Sequence, residues 1–169
     1  MTEQLLIDSL DFVRNTHVLR GKIAVALLPR IHDVLFANDG MLEYTLSGYT
    51  DKQGKPFLHC EVNGVLQLRC QRCLEALSFP VNVKSDLMLV KDEAALAEIN
   101  ENELDVVDAI VADPQLDVFA LIEDEILLDF PMSPKHSLAE CKDKDAGQGN
   151  SRQGKAFEAL AVLKAHNPK

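Results

Sequence analysis

Between Leu58 and Cys70 the even-numbered positions Leu58, Cys60, Val62, Leu66, Leu68 and Cys70 are apolar, interrupted only by Gly64, while His59, Glu61, Asn63, Gln67 and Arg69 hold the other parity. A side-chain period of two is what a strand with one buried face requires. After a short break the alternation resumes, with Leu77, Phe79, Val81 and Val83 set against Ser78, Pro80, Asn82 and Lys84. The pattern predicts a long antiparallel pair running from Phe57 to Val90. Asn63-Gly64 is a hairpin signal in its own right and would split the first strand in two. The unbroken parity across it favours one strand, bulged or twisted at Gly64.

The break between the two strands holds C-Q-R-C, residues 70–73. A tight turn there can aim both sulfurs at one point, which is half of a tetrahedral metal site or a redox pair. Two further soft donors, His136 and Cys141, follow a predicted helix. Cys70, Cys73, His136 and Cys141 are therefore a candidate Cys3His zinc set, chemically reasonable because borderline-soft zinc accepts both donor types. The interval from Cys73 to His136 is unlike a compact zinc ribbon, so only the fold could bring the pairs together. Arg69 and Arg72 flank the first pair and would favour thiolate. Two other readings stand beside zinc: reduced packing cysteines of a turn, or a dithiol switch. A thioredoxin-type motif normally opens a helix, whereas Pro80 and the alternation from Leu77 indicate a strand. Cys60 lies on the apolar parity and reads as a small core residue.

Along the rest of the chain, Ile7–Asn15 reads as a short helix capped by Asp8 or Ser9. Lys22–Leu28 is strand-like, Pro29 opens a short helical turn through Phe36, and Leu42, Tyr44 and Leu46 alternate as a strand. Asp92–Asn100 reads as a short exposed helix and Glu103–Ile110 as a strand. Leu116–Leu128 reads as a helix whose stripe is Val118, Phe119, Leu121, Ile122 and Ile126, stopped by Phe130-Pro131. A chain of 169 residues fits one domain with a short appendage. The expected division is a single α+β domain over residues 1–137, a flexible linker over 138–155 and a helical segment over 156–169. The fold class is α+β: a twisted antiparallel sheet with flanking helices, the C-x-x-C at a hairpin tip, and a loose C-terminal segment. With no long apolar run and no signal-peptide pattern, the chain is expected to be soluble and cytoplasmic, its four cysteines reduced.

The net charge of −10 is unevenly spread: Asp92–Phe130 holds thirteen acids and no Lys, Arg or His. Such a block repels phosphate backbones and favours basic partners, or else is a solvated face. Glu123, Asp124, Glu125 and Asp129 on the predicted helix are the candidate partner contacts. Arg69 and Arg72 are candidates for RNA at the tip, although no aromatic residues interleave with them as a stacking platform requires. No P-loop, G-x-G-x-x-G, nucleophile elbow or H-E-x-x-H is present, and the chain does not read as an enzyme.

C-Q-R-C-L at 70–74, V-F-A-L-I-E-D-E-I-L-L-D-F-P at 118–131, P-K-H-S-L-A-E-C at 134–141 and the closing F-E-A-L-A-V-L-K together resemble the bacterial YceD family, the large ribosomal RNA subunit accumulation proteins. The opening I-D-S-L-D-F-V-R followed by G-K-I fits as well. The resemblance implies a non-enzymatic role in synthesis, processing or stability of large-subunit ribosomal RNA. It also implies a genetic neighbourhood with a small basic ribosomal protein of the large subunit. That protein is the expected partner, with direct contact to rRNA the alternative, and neither a membrane nor a small-molecule substrate is expected.

Overall fold

The computed structural model describes residues 4–102, 108–137 and 139–141. A two-residue strand β1 (Leu6–Ile7) leads into helix α1 (Ser9–Arg14), whose N-cap Asp8 accepts a hydrogen bond from Asp11 N. Strand β2 (Val18–Ala24) follows, then two 3₁₀ segments, Val25–Leu27 and Pro29–Val34, and the short β3 (Leu35–Ala37). The predicted strand over 22–28 thus lies earlier in the chain, its second half wound into a 3₁₀ turn. Strands β4 (Met41–Thr50), β5 (Pro56–Arg69) and β6 (Ala76–Val90) form an antiparallel meander. Helix α2 (Glu93–Asn102), strands β7 (Asp108–Val111) and β8 (Leu116–Asp117), and helix α3 (Val118–Asp129) complete the described order.

The main sheet runs β2-β4-β5-β6-β7, with β3 pairing β5 off that path. All its pairings are antiparallel except β6–β7, which is parallel because α2 carries the chain back across the sheet. A separate two-stranded sheet ties β1 to β8. The α+β class and the twisted sheet with flanking helices are therefore as the sequence indicates. The expected long hairpin is present as one continuous ladder from Phe57↔Met88 to Arg69↔Ala76, with no register break at Gly64. Gly64 serves a different purpose from a bulge. A Cβ there would run into the Leu42 side chain, which lies over it just past the last β4–β5 pair, Glu43↔Asn63.

One face of the sheet carries the core. Leu42, Leu46, Leu58, Val62, Leu66 and Leu68 are each at most 1% exposed. They pack against Phe12 and Val13 of α1 and Val118, Leu121, Ile122 and Ile126 of α3. The approach of α1 is close: a Cβ on Gly48 of β4 would stand 2.6 Å from Val13 Cα. On the opposite face a smaller cluster of Phe57, Met88 and Val90 is covered by Ala95 and Leu96 of α2. Among the described residues no helix is long and apolar enough to cross a membrane. The predicted linker and closing helical segment lie outside the described residues, save for residues 139–141 of the linker.

Candidate metal centre

The β5–β6 turn is a tight loop closed by backbone bonds from Cys70 N to Glu75 O (3.0 Å) and from Leu74 N to Cys70 O (2.9 Å). Leu74 takes the left-handed conformation, φ 61°. That geometry costs a non-glycine residue about 1–2 kcal/mol, and it lies inside the turn that the Leu74 N to Cys70 O bond closes.

The other two donors arrive from α3. Its C-cap residue Phe130 packs edge-on against Phe79 of β6, ring centroids 5.8 Å apart. The segment that follows is laid along the loop by a bond from Gln71 N to Pro134 O (2.9 Å) and by Ser133 Oγ donating to Gln71 Oε1 (2.8 Å). His136 then comes to Cys73, Nδ1 to Sγ 3.3 Å. Ser137 closes a further turn, accepting from Cys141 N at 3.1 Å while its hydroxyl donates to Glu140 Oε2 at 2.8 Å. That turn brings Cys141, 1% exposed, back to the cluster. One donor atom from each of Cys70, Cys73, His136 and Cys141 lies within 4.8 Å of all the others.

The local chemistry fits a metal. His136 Nε2 sits 2.9 Å from Ala76 O. A carbonyl can only accept, so in the neutral ring Nε2 carries the proton and Nδ1 turns its lone pair toward Cys73. Fixing a metal-binding imidazole through its other nitrogen in this way is the usual outer support of such sites. Burial would raise the Cys70 thiol, but the backbone N–H groups of Cys73, His136 and Arg72 outweigh it and bring the pKa down to about 5. Cys73 is also lowered, chiefly by the Glu75 N–H, and His136 is raised, chiefly by Cys73. The leading thiolate stabilisers are thus main-chain donors rather than the Arg69 and Arg72 charges expected from sequence. Cys60 is the counter-example: burial, with Glu125 and Glu61 nearby, pushes it up to about 12. It is a core thiol.

Of the candidate partner contacts on α3, two do not reach solvent. Glu123 is 5% exposed, and its Oε1 accepts from Arg30 N at 2.9 Å, capping the Pro29–Val34 segment. Glu125 is 8% exposed. Burial raises its pKa, the Ser85 hydroxyl beside it works the other way without a hydrogen bond of good geometry, and Asp108 and Asp124 add to the rise. Asp124 pairs with the Arg30 guanidinium at the surface, and Asp129 is exposed. At the tip, Arg69 is exposed with Nη2 3.5 Å from Leu35 O, and Arg72 is half-buried. Helix α3 packs on β5 and β6 on the core face, and α2 packs on β6 and β7 on the opposite face. Asp92, Glu93, Asp108 and Asp129 are exposed on the segments that flank β6, while Asp124 is exposed but faces Arg30.

Sequence reasoning missed three contributors to the cluster: the left-handed Leu74, the Ala76 carbonyl and the Ser137 turn. The last had a signal, since Ser137-x-x-Glu140 is a capping-box pattern; the other two had none. Residues 58–164 match the family described as large ribosomal RNA subunit accumulation protein YceD, a span that takes in most of β5, all of β6 and α3, and all four donors. No solved structure matches the chain. Because the family match extends over well more than half of the sequence and contains the whole cluster, the chain belongs to the YceD family of large ribosomal RNA subunit accumulation proteins.

Proposed function

We propose that this protein supports accumulation of large-subunit ribosomal RNA as a non-catalytic factor that holds a basic ribosomal protein, with Zn²⁺ fixing its hairpin tip. The observation that carries the partner is the charge segregation. Asp92–Phe130 holds thirteen acids and no base of its own in the sequence, and among the described residues Asp92, Glu93, Asp108 and Asp129 are exposed on the segments that flank β6. A negative surface of this kind speeds encounter with a cationic protein and repels bare phosphate. Since Glu123 and Glu125 are engaged inside the fold and Asp124 is paired with Arg30, the contact falls to Asp92, Glu93, Asp108 and Asp129. Three thiolates and one imidazole are a donor set of closed, structural zinc sites. Zinc there joins the β5–β6 turn to the segment after α3 and supplies stability rather than reactivity.

Native mass spectrometry of the purified protein with a small basic large-subunit ribosomal protein tests both parts. The expected spectrum shows one zinc per chain and a one-to-one complex that weakens with salt and with Glu93→Lys plus Asp129→Lys. Absence of a complex overturns the partner reading. Retention of rRNA fragments after all ribosomal proteins are stripped away would replace it with direct RNA contact through Arg69 and Arg72.

A further inference from the structure

Beside the cysteine cluster lies a groove of about 210 Å³ whose walls include Val34, Leu68, Leu74, Phe130, Met132 and Pro134. Its apolar rim is open: Met132 is 101% exposed, Leu74 65% and Val34 40%. Isolated exposed apolar side chains need no explanation, but a contiguous apolar concavity marks a binding surface. A cavity of about 150 Å³ already accepts a benzene ring, so this one has room for an aromatic or aliphatic anchor.

We propose that the occupant is the chain's own closing segment, residues 156–164, docked in this groove within the same molecule. The origin of that segment is the first support. Cys141 is buried against Cys70 and Cys73, and the turn those residues build is itself a wall of the groove. The chain thus departs toward its C-terminus from the groove's edge. Residues 142–155 are Lys, Asp, Gly, Gln, Asn, Ser, Arg and a single Ala. Fourteen residues reach at most about 46 Å when extended, which is ample to return to the same site.

The sequence of the segment suits the groove. In A-F-E-A-L-A-V-L-K, Phe157, Leu160 and Leu163 recur at the spacing of one helical face, the pattern by which an amphipathic helix fills an apolar groove. Charges agree as well: Glu158 and Lys164 accompany the apolar face, and Arg69 and Asp33 stand among the groove's lining residues. A tether of this kind presents the segment at a local concentration of about millimolar, so a modest apolar contact suffices. The closing segment and the groove walls from Leu68 to Pro134 fall within the same family match, which runs to residue 164, while Val34 lies outside it. Burial of Cys141 within the cluster fixes the start of the tether.

The four methionines are Met1, Met41, Met88 and Met132, and methyl-labelled methionine in the full-length protein reports on the groove directly. With docking, the Met132 methyl is shielded from a soluble paramagnetic probe nearly as well as that of Met88, which is 3% exposed. Phe157→Asp with Leu160→Asp raises the Met132 relaxation several-fold and leaves Met88 unchanged, which also shows that the fold is intact. Equal accessibility of Met132 in both proteins overturns the proposal. Shielding that grows with protein concentration also overturns it, because a second copy is then the occupant.

Discussion

The β5–β6 hairpin is held in two different ways along its length. Up to Asn63, β5 is flanked by β4 on one edge and β6 on the other, with α1 and α3 on the core face. Its inward side chains there are aliphatic apart from Cys60, and each is at most 1% exposed. Beyond Gly64, β4 is gone and β3 offers only two pairings, Leu35↔Leu68 and Ala37↔Gln67. The far end then rests on the segment after α3, through Gln71, Pro134 and His136, and on a cluster of three thiols and an imidazole. The base of the hairpin is therefore specified by apolar area, which many sequences could supply. The tip is specified by a few donor atoms whose positions must be right together.

If that division is real, damage at the base should be large and indifferent to metal. Leu58 is fully buried in the main core, and Leu58→Ala is expected to cost about 2–5 kcal/mol in denaturant unfolding. The loss should be the same with and without a chelator. A loss that changed with chelation would mean that the two ends are energetically one.

A smaller change sharpens the tip. Leu74 is held at φ 61°, a conformation that Asn tolerates better than Leu. Leu74→Asn should gain up to about 1 kcal/mol, seen as slower amide exchange confined to residues 70–76. Faster exchange there would show that the Leu74 side chain matters more to the loop than its backbone strain.

The smallest effect concerns Glu125, at the base. Its carboxyl titrates above the ordinary value of 4.5 because it is buried, so the folded state binds that proton more readily than the unfolded chain. Its contribution is fully present below the unfolded value and is lost as pH rises through the raised folded value. Glu125→Gln should flatten the dependence of stability on pH between mildly acidic and neutral conditions, read from urea midpoints. An unchanged slope would place the carboxyl in water.

The same division explains what could be read from the chain alone. The long strands were legible because a period of two needs no knowledge of partners, and the parity of Leu58 to Cys70 ran true through Asn63-Gly64. Val118, Leu121, Ile122 and Ile126 were legible as the buried stripe of α3 by the same kind of periodicity. The pairing of β1 with β8 was not, since two residues are too few to show a period. Nor was the parallel addition of β7, which depends on the path of α2 rather than on a local pattern. Glu123 and Glu125 looked like surface acids because charge indicates water unless a partner is known. Arg30 N lies 93 positions away from Glu123 in sequence, and no local rule anticipates it. At the tip the donor set was legible as chemistry, because soft ligands are few. Its assembly rests on the Phe79–Phe130 contact and the Pro134 carbonyl, which carry no signature.

A metal-held tip is tested most directly by X-ray absorption at the zinc edge on the full-length protein loaded with one equivalent of zinc. The expected shell is three sulfurs at about 2.3 Å and one nitrogen at about 2.0–2.1 Å, losing one sulfur in Cys73→Ser. A shell of nitrogen and oxygen alone, or failure to retain the metal, would contradict it.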